Sequence, residues 1–125
     1  MLTYVYIGIG AAIGGTLRYW IENNTYNFLP VNFPYGTLLV NVVGSFILGM
    51  IMFYFNDKEL LDPQFRLFLT VGFCGGFTTF STFSLETMNL FRDAQYSIGI
   101  LNVILNVLLC LIGIYIAYLI SKLIG

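Results

Sequence analysis

Hydroxyl and amide side chains at membrane depth are the groups with the most chemistry in this sequence. Between Gly72 and Ser84 the chain carries three glycines, four phenylalanines and five hydroxyls, Thr78, Thr79, Ser81, Thr82 and Ser84. Groups of this kind are tolerated inside a bilayer where they face protein or a water-filled path rather than lipid. Asn41, Asn102 and Asn106 add amide donors, whereas histidine is absent and no Asp falls within a span interior. A proton relay or a carboxylate cation site would need ionisable groups at depth. Donors without carboxylates suit a small anion instead. Phe80 and Phe83, three residues apart, are expected on one helix face, where the electropositive edges of their rings would favour an anion. The same spacing also serves ordinary core packing. Gly72, Gly75 and Gly76 precede Thr78 and Thr79. Either the helix is interrupted there, freeing backbone carbonyls that suit a small cation, or it runs on as a close-packed continuous helix. No Gly-Lys-Ser or Gly-Lys-Thr follows these glycines, so a phosphate-cradling loop is not expected.

The elements that must position these groups are apolar helices. Of 125 residues, 58% are hydrophobic and 9% are charged, and the mean hydropathy of +0.87 is that of an integral membrane protein. Charge-free windows at 1–17, 23–56, 67–85 and 94–121 each hold the roughly 20 residues that cross about 30 Å of hydrocarbon. They predict an all-α membrane protein of four transmembrane helices near 2–21, 35–55, 66–91 and 96–122, the third broken near its middle, within one domain over 1–125. Met1 to Tyr6 lacks a basic side chain and no small-residue cleavage site follows the apolar run, so the first window is expected to be a retained span rather than a signal peptide. The net charge of −1 offers no basic patch for nucleic acid. Cys74 and Cys110 lie in spans without metal-like spacing and are expected to be packing residues.

Spacing within the spans adds faces. Thr37, Asn41 and Ser45 recur every four residues, as do Asn102 and Asn106, so each set forms one stripe. Two stripes suggest a shared polar surface, with interhelical glue as the alternative for any single asparagine. Gly10 with Gly14 and Gly72 with Gly76 are GxxxG spacings, and Ser45 with Gly49 and Gly113 with Ala117 repeat the small-residue version. These permit close helix packing, within or between chains. Lys58, Arg66 and Lys122 on one side face Arg18 and Arg92 on the other. A balance of three against two leaves the positive-inside rule little to act on. Insertion both ways up, and hence an antiparallel homodimer, is compatible with it.

The strings Gly75-Gly76-Phe77-Thr78-Thr79-Phe80-Ser81-Thr82-Phe83-Ser84, Gly36-Thr37-Leu38-Leu39-Val40-Asn41-Val42-Val43-Gly44-Ser45-Phe46 and Gly14-Gly15-Thr16-Leu17-Arg18-Tyr19 resemble those of the Fluc fluoride channels, also called CrcB proteins. Length, span number and motif order agree over essentially the whole chain. The resemblance implies an antiparallel, dual-topology homodimer that passes fluoride passively and selectively out of a microbial cell, across the bacterial inner membrane, and relieves fluoride toxicity. It implies Phe80 and Phe83 as pore phenylalanines, Asn41 as a pore-lining asparagine, and Ser81, Thr82, Asn102 and Asn106 in a polar track. It also implies a structural sodium ion at the dimer centre, held by the backbone carbonyls of Gly75 and Thr78 from both subunits. The fourth-helix positions depart from relatives, which often carry a tyrosine and a serine there. Arg18 and Glu86 match charged positions near the aqueous mouths, where Arg18 would attract anions and Glu86 repel them, or both would serve as interfacial anchors.

Two other classes compete with this reading. A small dual-topology multidrug exporter shares the size and span count but relies on an intramembrane glutamate in its first helix, where this chain has Gly8, Gly10, Gly14 and Gly15. A structural membrane subunit would need only the glycine motifs. An enzyme is not expected, because without histidine no nucleophile and base pair can be assembled by helical spacing.

Overall fold

The computed structural model, which describes residues 1–125, has helices as its only regular elements, without a strand. The first helix, α1 (Leu2–Thr25), is 24 residues long. It outruns the expected end at residue 21 because Asn24 and Thr25 bond back to the carbonyls of Trp20 and Ile21. Pro30 and Pro34 lie in the connection that follows, where proline cannot continue a helix. The second helix, α2 (Tyr35–Met50), starts directly after Pro34 and runs on as a π-helical segment, Ile51–Asn56.

The third stretch has a clear start. Asp62 accepts from the amides of Gln64 and Phe65 at 3.2 and 3.4 Å, and Pro63 stands at the first helical position. Helix α3 (Pro63–Leu67) passes into a π-helical segment, Phe68–Cys74, and then the short α4 (Gly75–Phe77). Thr78 and Thr79 are extended, at φ −92°, ψ 161° and φ −152°, ψ 118°, and α5 (Phe80–Arg92) resumes beyond them. Ala94 closes α5 at φ 62°. The amide of Gln95 reaches back to Leu90 and that of Ala94 to Phe91, the bond pair of a Schellman motif. The final helix, α6 (Tyr96–Ile124), has 29 residues.

Three stretches, Tyr35–Asn56, Pro63–Arg92 and Tyr96–Ile124, are long and apolar enough to cross a membrane. Helix α1 matches them in length but not in apolarity, since its last two turns carry Arg18, Glu22, Asn23 and Asn24. It packs along the π-helical segment before the interruption through its glycines. A Cβ on Gly10 or Gly14 would strike backbone atoms of Phe68 or Phe73, and one on Gly72 would lie 2.7 Å from the Ile7 carbonyl. Helix α2 meets α6 closely as well, since a Cβ on Gly49 would lie 2.7 Å from that of Ala117. Buried residues number only 22 of 125, so most large apolar side chains of α6 point outward, as they do on a helix that meets lipid or another chain.

Candidate functional site

The site is the interruption at Thr78 and Thr79 with the asparagines behind it. Asn41, on α2, clasps it from one side. Its Oδ1 accepts the Thr79 amide at 2.8 Å, and its Nδ2 donates to the Thr79 carbonyl at 3.1 Å and to Asn106 Oδ1 at 3.0 Å. The side chain thus replaces partners that an unbroken helix would have supplied, which is why an extended pair persists at membrane depth. The Thr79 hydroxyl accepts the Thr82 amide at 3.2 Å and caps α5.

From Asn41 the bonds continue along α6. Asn106 Nδ2 donates to the carbonyl and to Oδ1 of Asn102 at 2.9 and 3.0 Å. Asn102 Nδ2 donates to Thr87 Oγ1 at 2.9 Å, and Thr87 donates to the Phe83 carbonyl at 2.8 Å. All four polar side chains are buried. The stripes on the second and last helices are therefore joined, and together they brace Thr79 at the interruption and Thr87 two turns into α5. Thr87 escapes sequence reading because it belongs to neither stripe; its one signal is a place four residues after Phe83, where a threonine hydroxyl reaches the carbonyl one turn back.

Phe80 and Phe83 are not equivalent. Their ring centroids are 5.4 Å apart with planes inclined at 53°, but Phe80 is 78% exposed and Phe83 only 7%. A three-residue step leaves about 60° between side chains on a helix, enough to put one on each side of the protein boundary. Ser81 is exposed and lies 3.4 Å from the Thr79 hydroxyl, Thr82 is half-buried, and exposed Ser84 donates to the Phe80 carbonyl.

A cavity of about 470 Å³ opens beside the interruption, lined by Asn41, Ser45, Gly75, Thr78, Phe80 and Asn106 among others. Two backbone acceptors near it have lost their regular donors. The Thr79 amide, which an unbroken helix would give to the Gly75 carbonyl, goes to Asn41, and the Thr82 amide, due to the Thr78 carbonyl, goes to the Thr79 hydroxyl. No cluster of His, Cys, Asp or Glu could hold a metal ion. Carbonyl oxygens are the donors on offer, and they fit a hard monovalent cation. Two from one chain make an incomplete shell.

Arg18 and Glu86, both expected near the aqueous mouths, have different surroundings. Arg18 donates through Nε to the Gly76 carbonyl at 3.0 Å and pairs with Glu22, Nη1 to Oε2, at 3.7 Å. Glu86 lines a smaller cavity of about 190 Å³ with Tyr26, Asn32, Asn89 and Asp93, and its Oε1 is buried without a partner. Glu22 was not expected in the site; it is visible in sequence only as the residue one turn after Arg18.

Long apolar helices carrying a buried polar network make this a multi-pass helical membrane protein. Residues 5–118 match the family described as CrcB-like protein, Camphor Resistance (CrcB), and the chain belongs to that family. It is 45% identical over 112 residues, 90% of each chain, to the fluoride-specific ion channel FluC of Geotalea daltonii. Similarity to the protein of that name from Clostridium novyi is 43% over 124 residues, covering 99% of this chain and 97% of the other. The namesake from Magnetococcus marinus is 40% identical over 119 residues, 95% and 97% of the two chains. These relatives carry a channel's name, and the chain is not an enzyme.

Proposed function

We propose that this chain is a passive, selective fluoride channel of the bacterial inner membrane, which lets fluoride leave the cell and so relieves its toxicity. The names of the relatives support fluoride as the ion. The observation that carries the reading is the interruption clasped by Asn41, which leaves Phe80 and Ser81 on an outer face beside the polar chain Asn41, Asn106 and Asn102. Fluoride is small and strongly hydrated, so its path must exchange water for closely spaced donors that bind weakly enough to release it. Ser81 and Thr82 offer hydroxyls there, and Phe80 and Phe83 offer ring edges. Both amide hydrogens of Asn41 and of Asn106 already have protein acceptors, and one of the two on Asn102 does. In this reading Asn41 and Asn106 act as a second layer, yielding a donor only when the ion replaces an acceptor.

The functional unit we propose is an antiparallel, dual-topology homodimer of single-domain, four-span subunits, with α1 as the least apolar span. A sodium ion bound by the carbonyls of Gly75 and Thr78 from both chains would neutralise four carbonyl dipoles at the dimer centre. Its role is structural, and the anion path runs through side chains. The test is purified protein in liposomes loaded with fluoride or chloride. Rapid fluoride efflux with chloride efflux at least a hundredfold slower is expected; comparable rates for the two ions would refute the reading.

A further inference from the structure

The carbonyl of Gly76 is another acceptor orphaned by the interruption. In an unbroken helix it would accept from Phe80 four residues on, but Phe80 opens α5 beyond the extended pair. Arg18 takes that place, its Nε 3.0 Å from the Gly76 oxygen and 58 residues earlier in the chain. A cation at the carbonyl end of a helix also meets the negative pole of its dipole. Glu22 steadies the arginine one turn on, at 3.7 Å, and the two side chains are only 29% and 18% exposed. The backbones at this contact already touch, since a Cβ on Gly76 would lie 2.6 Å from the Ala11 carbonyl oxygen and 3.1 Å from the Gly15 nitrogen.

We infer that Arg18 is a positioning residue for the interruption: held by Glu22, it fixes the Gly76 carbonyl on the α1 side and so keeps the carbonyls of Gly75 and Thr78 on the cavity side. Gly75 and Gly76 are adjacent in α4 and so turned by about 100° from one another, and Thr78, already extended, follows two residues on. A tether on Gly76 therefore sets the direction of Gly75 and Thr78 without occupying either. The charge of Arg18 is spent inside the protein, on Gly76 and Glu22, rather than on attracting anions at an aqueous mouth. Lysine cannot replace it, because one ammonium at the end of a flexible stem does not reproduce a planar group whose Nε donates to Gly76 while Nη1 faces Glu22.

Two measurements on the full chain test this, and only the second rests on the channel reading. Hydrogen exchange of the 78–82 amides should quicken about tenfold in both R18K and R18Q, with α6 unchanged, because a charge-assisted bond to the segment is lost. Fluoride efflux through R18K should fall about tenfold at saturating fluoride, with the half-saturating concentration moved less than twofold. E22Q should shift both readouts in the same direction by a smaller factor. Unchanged exchange in R18K and R18Q overturns the inference. So does the pattern of an anion attractor: R18K equal to the unsubstituted protein, R18Q impaired only at low fluoride, and E22Q faster. If R18Q does not fold, R18K and E22Q still decide. Failure of the unsubstituted protein to pass fluoride would sink the channel reading alone, leaving exchange to judge the role of Arg18.

Discussion

Asn41 makes three bonds with one side chain, two of them to the backbone of Thr79. Replacing it with alanine strands the half-buried amide and carbonyl of Thr79 and the buried Oδ1 of Asn106, each worth up to about 1–3 kcal/mol, so N41A should lower stability by about 2–4 kcal/mol in denaturant titration. N41D tests the donors separately. Its carboxylate can still accept the Thr79 amide but cannot donate to the Thr79 carbonyl or to Asn106, and it should lose nearly as much. The phenylalanines should divide by burial. F80I, at a side chain 78% exposed in one chain, should change subunit stability by less than about 0.5 kcal/mol while abolishing fluoride efflux. F83I, at a buried ring, should cost about 1–2 kcal/mol as well. Sequence spacing brings Asn41 and Asn106 to one surface because stripes are local properties of a helix. It cannot show that their hydrogens are already engaged, since that depends on which carbonyls an interruption 38 residues away leaves free.

At the scale of elements, the glycines of α1 differ sharply in what they touch. A Cβ on Gly14 would strike the backbone of Phe73, whereas nothing lies within 4 Å of one on Gly8. G14A must push α1 off the π-helical segment and should cost more than about 2 kcal/mol. G8A should be neutral or stabilising by up to about 1 kcal/mol through helix propensity alone. Thermal midpoints of the two variants side by side separate packing from propensity, and equal midpoints would contradict the glycine interface. The turn after α5 offers an independent check. Ala94 sits at φ 62°, in a region costly for residues with a Cβ, so A94G should raise stability by about 0.5–1 kcal/mol in the same assay. The apolar periodicity marks the long helices, and Asp62 with Pro63 marks a start, though three residues earlier than the expected 66. The π-helical segments Ile51–Asn56 and Phe68–Cys74 leave no mark in the sequence, because a widened turn is selected by tertiary packing and not by a residue type.

The whole molecule poses a problem that one chain does not solve. Its cavity beside Gly75 and Thr78 has a largely apolar lining with exposed Phe80 on it, and an unsatisfied backbone carbonyl facing lipid costs several kcal/mol. In the proposed antiparallel pair, a second copy turned over covers it and brings the same two carbonyls and the same exposed phenylalanine. Such pairing requires chains inserted both ways up. The basic residues near the span ends, three against two, leave orientation nearly unbiased. Adding D57K and L60K in the connection that holds Lys58 makes that count five against two, and both sites lie outside the interrupted segment. The chain without these lysines, carrying D93C in place of its native cysteines, should be labelled to about half by an impermeant maleimide on sealed vesicles, as unbiased insertion requires. With the two lysines added, labelling should become nearly all or nearly none, and fluoride efflux should collapse although the subunit still folds. Efflux should return when that chain is coexpressed with one biased the opposite way by extra lysines in the 92–95 turn. Undiminished efflux from a uniformly oriented population would rule out the antiparallel pair and require a parallel or single-chain path.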